Sequence, residues 1–489
     1  MGPSLNWQLI VPVVAGAVLA VGAGMAVCAA IALGDAGSSP GAFALPAAIA
    51  IPAGVLGVLS GRRLKGTPLR ARDGFFAVTA AWVVAALVGA VPFLLDGAID
   101  RPVHALFESM SGFTTTGATA IADVDSQPDA ILMWRSLMQW LGGVGIVLLV
   151  VAIAPATGLA SQRVFYAETS GITTDRLTPR IADTAKIILA IYLTLTTLGF
   201  AAYWIAGMSP WEAINHIFTT ISTGGFSTRT DSIAAFDSTA IEVVAIVFMI
   251  AAGINFAFYW LALRGRDRIW PQAAEVRALL IILAVGISAA TLSLVALDDL
   301  ELGDSLRGAA FTVVSLTTGT GYTTVNFDAW NDFARLGLLT LMFFGACAGS
   351  TSGGMKVIRV MLLGKTAGQE IQRQLQPKAV QVLRVRGRVY AEEVRRGVLG
   401  FFYIYMVVFV AGTLAMAAFG LDPVSAASST VATLNIVGPG LGEVGATQHY
   451  GTVPDGGLGV MTALMLAGRL EIFAVLVLLT RAFWRRGTA

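Results

Sequence analysis

Apolar stretches of about 20 residues recur from one end of the chain to the other, the length at which an α-helix crosses the hydrocarbon core of a bilayer. They are apolar all round, without the polar face of a surface helix, so a soluble fold would have nowhere to bury them. Between them lie four shorter segments rich in Thr, Ser and Gly: 105–119 (ALFESMSGFTTTGAT), 213–227 (AINHIFTTISTGGFS), 309–323 (AAFTVVSLTTGTGYT) and 426–440 (AASSTVATLNIVGPG). Each is too short to span. A re-entrant half-helix fits, because non-helical backbone at membrane depth is tolerated only where it is covered by protein or lines a watery cavity.

Overlaid without gaps, the four segments all begin with Ala and carry Gly in the thirteenth column: Gly117, Gly225, Gly321 and Gly438. The preceding columns read Thr114-Thr115-Thr116, Ser222-Thr223-Gly224, Thr318-Gly319-Thr320 and Asn435-Ile436-Val437. A long apolar span precedes each segment (near 75–95, 181–206, 279–296 and 401–419) and another follows (near 131–154, 241–263, 336–363 and 458–479). The repeated unit is therefore span, short helix, Gly-containing loop, span. With two leading spans, at 9–33 and 43–59, the pattern predicts an all-α polytopic membrane protein of about ten crossings. The expected divisions are 1–70 for the leading spans, then pore repeats at 71–165, 166–270, 271–389 and 390–489.

Composition agrees: 56% of residues are hydrophobic and 13% charged, with mean hydropathy +0.75, against roughly 25% charged in soluble domains. The net charge of +2 says little; its distribution says more. Arg62, Arg63, Lys65, Arg70 and Arg72 fill one short loop, and Arg264, Arg266 and Arg268 another. Arg373, Lys378, Arg384, Arg386, Arg388, Arg395 and Arg396 fill a third, and Arg485 and Arg486 close the chain. Segments 34–41 and 421–455, of the opposite parity, hold no Lys or Arg. The positive-inside rule then places the basic loops and both termini in the cytoplasm and the Gly-containing loops outside. Because the basic runs alternate with spans, nucleic-acid binding is a poor explanation for them. The 9–33 stretch lacks a basic leader and is long for a signal peptide, so it reads as a retained span.

Enzyme chemistry finds no support. Cys28 and Cys347 lie far apart in apolar segments, and His104, His216 and His449 are scattered as interfacial residues without metal-ligand spacing. GGVGIV (142–147) lies inside a span and does not follow a strand, so it is no dinucleotide fingerprint.

A cation crossing a bilayer exchanges its hydration shell for fixed oxygens, and backbone carbonyls serve well. Aiming consecutive carbonyls at one axis needs dihedrals open mainly to Gly. Four such loops would make a ring of oxygens without formal charge, and the half-helix C-termini would favour a cation below it. The candidate cation-binding set is Thr115, Thr116, Gly117, Thr223, Gly224, Gly225, Gly319, Thr320, Gly321, Asn435, Ile436, Val437 and Gly438. Asp123, Asp125, Asp231, Asp328, Asp332 and Glu443 would raise the cation concentration at the mouth, unless they are ordinary solvated loop residues. The second span of the third repeat is interrupted by Gly345, Ala346, Cys347, Ala348, Gly349, Ser350, Thr351, Ser352, Gly353 and Gly354, which will not hold a lipid-facing helix. No comparable run appears in the other three second spans, and a break just below the filter can act as a plug. Tight helix crossing is the alternative use of small residues.

The chain resembles the TrkH-like pore subunits of the bacterial Trk/Ktr potassium-transporter superfamily. The resemblance rests on SMSGFTTTGAT (109–119), WRSLMQWLGGVGI (134–146), STGGFST (222–228), FGACAGSTSGGMKVIR (344–359), LNIVGPGLG (434–442) and AGRLEIF (467–473), and it covers essentially the whole chain. The leading spans favour this branch over the shorter Ktr subunits.

The resemblance implies four pseudo-symmetric domains around one pore, each giving one filter glycine, in a homodimer of the bacterial cytoplasmic membrane. Plant relatives that favour sodium carry Ser in the first repeat, so Gly117 points to potassium. The interrupted segment becomes an intramembrane gating loop, with Arg469 beneath the filter contacting it and repelling cations in the closed state. Glu471 is expected to partner other buried polar groups, and Lys356 to mark the cytoplasmic end of its span. A TrkA-type cytosolic subunit that binds NADH or ATP is the implied regulator. The extra glycine, Gly319, leaves open which third-repeat carbonyl faces the ion, although the overlay selects Gly321. A proton- or sodium-coupled symporter is the alternative mechanism, with Glu471 among few intramembrane carboxylates available for it.

Overall fold

A computed structural model describes residues 5–35, 37–61, 70–153, 181–263, 270–377, 383–385 and 388–484 of the chain. Arg62, Arg63, Lys65, Arg264, Arg266, Arg268, Lys378, Arg386, Arg485 and Arg486, which argued for a cytoplasmic side, lie outside these residues, as does the expected boundary at 165/166.

Helices α1 (Trp7–Ala32) and α2 (Pro40–Ser60) form a leading hairpin. They cross closely because Gly54 and Gly57 of α2 leave room for Leu19 and Ala15 of α1, where added Cβ atoms would overlap them. Four units follow. The first is α3 (Ala71–Asp96), α4 (Pro102–Thr114) and α5 (Asp129–Ile153). The second is α6 (Ile181–Ile205), α7 (Pro210–Ile221), α8 (Thr239–Gly253) and α9 (Phe256–Leu263). The third is α10 (Trp270–Leu297), α11 (Leu302–Thr318), α12 (Asp332–Leu341) and α13 (Val357–Leu375). The fourth is α14 (Glu392–Ala418), α15 (Pro423–Leu434), α16 (Asp455–Arg469) and α17 (Phe473–Leu479).

The half-helices α4, α7, α11 and α15 run 13, 12, 17 and 12 residues, short of the ~20 that cross a bilayer. Their starts are written locally. Proline opens α4, α7 and α15, where a missing N–H costs nothing. Ser209 and Glu212 form a reciprocal capping box on α7, and Asp422 caps α15.

Among the described residues six continuous helices are long and apolar enough to span, and two bent pairs bring the number to eight. α5 and the divided α12 and α13 supply the second spans of the first and third units. The bends were not expected. α8 and α9 meet at 89° and α16 and α17 at 118°, so second spans break in the second and fourth units as well as the third. The break after Gly253 is held by Asn255, whose Oδ1 accepts the Ala257 amide at 2.8 Å. In the fourth unit Glu471 and Ile472 take left-handed φ of 56° and 59°.

The units close into a ring: α5 packs on α7, α8 on α11 and α16 on α4. At the remaining seam the loop 342–356 reaches the end of α15, where Asn435 Nδ2 donates to the Met342 carbonyl at 2.8 Å. A short antiparallel ladder, β1 (Arg384–Val385) with β2 (Arg388–Val389), precedes α14. Val385 packs with Leu362 and Val398 there.

Candidate ion-conduction site

The four expected glycines meet. A Cβ on Gly117 would overlap the Gly224 carbonyl oxygen, and one on Gly225 the Thr320 oxygen. One on Gly321 would overlap the Val437 oxygen, and one on Gly438 would lie 2.7 Å from the Thr116 oxygen. The contacts run first repeat to second to third to fourth and back to first. They close a ring in which each glycine abuts the carbonyl just before the next glycine. Left-handed φ values of 83°, 78°, 81° and 98° at these four positions add a second reason for glycine.

Two columns earlier the backbone is again left-handed: φ is 58° at Thr115, 54° at Thr223, 75° at Gly319 and 60° at Ile436. The extra glycine of the third loop therefore occupies a left-handed column that the other repeats fill with β-branched residues, which are strained there. Alternating handedness turns successive carbonyls the same way. The geometry follows from how each half-helix stops. The amides of Thr116, Gly224, Thr320 and Val437 bond back to the carbonyls of Ser111, Thr219, Ser315 and Ala432 at 2.8–2.9 Å, the same six-residue closure in every repeat. The carbonyls of Thr116, Thr320 and Val437 accept no hydrogen bond from the described residues, which leaves them free to replace water around a cation.

The bracing of these loops was largely missed from sequence, because its partners are distant along the chain. Gln139 on α5 donates Nε2 to the Gly224 carbonyl at 2.8 Å and accepts the Phe226 amide at 3.1 Å. Tyr322 Oη donates to the His216 carbonyl at 3.0 Å, Tyr450 Oη to the Gly438 carbonyl at 2.8 Å, and Tyr405 Oη meets Asn435 Oδ1 at 2.9 Å. Hydroxyl pairs brace two loops from within, Thr114 with Thr116 at 2.8 Å and Thr318 with Thr320 at 2.9 Å.

On one side of the ring the loop 342–356 is folded on itself. Gly345 N donates to the Met355 carbonyl at 2.9 Å, and Ser350, Thr351, Ser352 and Gly353 are buried. It fits into the α8–α9 break, with Cys347 N on the Gly253 carbonyl at 3.0 Å and Phe256 N on the Gly349 carbonyl at 3.2 Å. Thr351 Oγ1 donates to the Ile221 carbonyl at the end of α7 at 3.0 Å, and Gly353 faces Ile436, so the loop lies against the half-helix ends. Gly354 turns the chain back at φ 71°. Arg469, buried, donates to the Thr351 carbonyl at 2.7 Å and the Gly142 carbonyl at 3.0 Å. Glu471 pairs with Arg359 at 2.6 Å. Glu275 on α10, not singled out from sequence, accepts the amides of Ala348 at 2.7 Å and Ile358 at 3.2 Å. Lys356 differs from expectation: it is buried at the start of α13 with Nζ on the Ser352 carbonyl, because the loop turns inward before the helix begins.

On the other side all four glycines line an open vestibule. None of the six outer carboxylates lines it. Asp125 accepts the Thr230 amide at 3.1 Å, Asp328 the Gly442 amide at 3.0 Å and Asp123 the Ser126 amide at 3.3 Å. Asp332 pairs with Arg335 at 3.3 Å, while Asp231 and Glu443 are exposed. Among the described residues the charged ones on the wall are Arg135 and Arg229. The histidines form no site: His104 lies 3.2 Å from Asp455, His449 accepts the Gly451 amide, and His216 is buried, where an interfacial position was expected, 3.0 Å from Ser227 Oγ. Among the described residues no cluster of His, Cys, Asp or Glu could hold a metal ion.

Comparison with known proteins gives the same direction. Residues 47–485 match the profile of the TrkH family, described as cation transport protein. The chain is 42% identical over 423 residues to the Trk system potassium uptake protein TrkH of Vibrio parahaemolyticus, covering 85% of this chain and 87% of that one. It is 40% identical over 436 residues to TrkH of Escherichia coli K12, covering 87% and 88%. With the Trk system potassium uptake protein TrkG of the same strain it shares 33% over 424 residues, covering 86% and 87%. The crystal structure of the potassium transporter TrkH from Vibrio parahaemolyticus superposes with a TM-score of 0.88 at 38% identity, covering 98% of this chain and all of that one.

Proposed function

The chain belongs to the TrkH family of cation transport proteins, and from that premise we propose that it takes up potassium across the bacterial cytoplasmic membrane through the ring of Gly117, Gly225, Gly321 and Gly438. It is a transport protein and not an enzyme. The observation that carries the reading is the closed cycle of glycine against carbonyl, one step per repeat. A ring of uncharged oxygens suits an ion with a small dehydration cost and lets it leave again. Loop 342–356, seated against the ends of α7 and α15, is the gate, and Arg469 holds it and adds a positive charge that opposes cations while it is shut.

The test is potassium and sodium flux into proteoliposomes for the wild type, Gly225→Ser and a deletion of 345–354. Loss of selectivity in the first variant and raised flux in the second support the reading. If neither changes flux or selectivity, the glycines serve packing and the ion path lies elsewhere.

One observation favours proton coupling: Glu275 is a buried carboxylate bonded to the gating segment. Flux that follows the potassium gradient alone, unchanged by a pH gradient, rejects that second mechanism. The family resemblance extends the proposal to a homodimer, each protomer with its own pore, and to a TrkA-type nucleotide-binding subunit on the cytoplasmic face. Equal flux with and without that subunit and its nucleotides would remove it from the scheme.

A further inference from the structure

A recess that admits cations has two arginines on its wall and none of the chain's outer carboxylates. Arg229 is half-exposed and answered by Glu212 at 2.5 Å and Asp125 at 3.6 Å. Arg135 is different. It is 2% exposed, and its one carboxylate partner among the described residues is Glu108 on the neighbouring half-helix, fully buried, with Nε to Oε1 at 2.8 Å. The rest of the guanidinium is also used: Nη1 donates to the Ser227 carbonyl at 2.9 Å and Nη2 to Thr119 Oγ1 at 3.2 Å. Its Cζ lies 4.1 Å from the centroid of the Phe226 ring. Glu108 Oε2 accepts the Ala120 amide at 2.8 Å.

One ion pair therefore grips the residues that leave the filter in two adjacent repeats, Thr119 and Ala120 after Gly117, and Phe226 and Ser227 after Gly225. The column of Glu108 reads His216, Thr312 and Ser429 in the other half-helices, so this charged brace breaks the fourfold pattern. Stability is a weak reason to keep it, because well-packed apolar residues serve a buried position as well or better.

We propose that Arg135 and Glu108 are positioning residues for potassium selectivity: the guanidinium fixes the outer ends of two filter loops, and the carboxylate cancels a charge that would otherwise repel cations from the vestibule. This rests on the ion path proposed above. A planar fork is required for the first role, which a lysine does not provide.

Potassium and sodium uptake are measured in proteoliposomes, normalised to monodisperse protein, for Glu108→Gln, Arg135→Lys, the double variant Glu108→Gln with Arg135→Gln, and the control Gly225→Ser. Glu108→Gln leaves the guanidinium unanswered and raises the potassium KM about tenfold, an effect that fades at high ionic strength. The double variant returns KM to within about twofold of wild type yet stays less selective, because the fork is gone. Arg135→Lys keeps KM and lowers the potassium-to-sodium ratio about tenfold. If the single variants only reduce the yield of folded protein, with KM and selectivity of that fraction unchanged, the pair is merely structural and the inference is overturned. A selectivity change confined to Gly225→Ser sinks the inference and spares the ion path. No change in any variant, the control included, sinks both.

Discussion

Arg469 donates from Nη1 to the carbonyl of Thr351 at 2.7 Å, which ties the break in the last span to the middle of loop 342–356. Its second fork nitrogen holds the Gly142 carbonyl at 3.0 Å, so a cation on α16 fastens the loop to α5.

Removing that fastening frees the loop. A hydrogen bond from a charged donor contributes about 2 kcal/mol, enough to move a closed-to-open equilibrium about thirtyfold. Arg469→Gln is expected to raise basal potassium flux at least about tenfold. Unchanged or lower flux in proteoliposomes would mean that the bond does not hold the gate shut.

Asn435, in the proposed filter, also reaches the proposed gate: its amide donates to the Met342 carbonyl at 2.8 Å and to the Tyr405 hydroxyl. Asn435→Ala removes both connections and is expected to increase basal flux and sodium leak together. Tyr405→Phe removes only the hydroxyl, so it lowers stability by about 1–2 kcal/mol and leaves selectivity intact. Thermal unfolding read beside two-ion flux separates the cases; a selectivity loss in Tyr405→Phe would contradict this assignment.

The third loop offers a test between neighbouring glycines. At Gly321 a Cβ would overlap the Val437 carbonyl and lie 2.8 Å from Pro439 Cδ, with φ at 81°. At Gly319 the nearest atoms are the Ile436 oxygen at 3.0 Å and Ser352 Oγ at 3.3 Å. Gly319→Ala is expected to cost about 1–2 kcal/mol, the left-handed strain, while potassium uptake continues. Gly321→Ala is expected to abolish selective uptake. Equal behaviour of the two would show that the column reading is wrong.

Acid acts on the outer loops through Asp125. Partial burial pushes its carboxyl up, but the Thr230 hydrogen bonds and the Arg229 charge outweigh burial and hold it below the usual carboxylate range. A depressed carboxyl contributes stability that is present above the unfolded value, about 3.9, and lost as pH falls through the folded value. Thermal stability is expected to be level from about pH 7 to 5 and to decline below about pH 4. Asp125→Asn, which has no charge to lose, should show a smaller decline. An identical acid profile would place the acid sensitivity elsewhere.

Much of the fold is written locally. The spans follow from runs of apolar residues, the half-helices from their length and from Pro102, Pro210 and Pro423 at their starts. The glycine column was legible because a left-handed turn pressed against a neighbouring carbonyl admits almost no other residue. The broken span at 345–354 announced itself through composition. Less was visible where the backbone does something its residues resist. Thr115, Thr223 and Ile436 take left-handed φ despite β-branched side chains, and the break after Gly253 carries only the short run Ala251-Ala252-Gly253, not the ten-residue stretch of the third repeat.

The sequence by itself thus determined the membrane class, the repeated unit and the columns that meet at the axis, because each depends on local length, hydropathy and backbone permissiveness. Tertiary structure decided the rest: that Gly319 sits in a strained column, that Lys356 is buried, and that Arg135, Glu108, Gln139 and Glu275 bond to the glycine-containing loops and to loop 342–356. Those assignments depend on pairs such as Gln139 with Gly224 and Arg469 with Thr351, separated along the chain by whole helices. Their free energy arises only once the ring has closed and excluded water, so no local pattern records it.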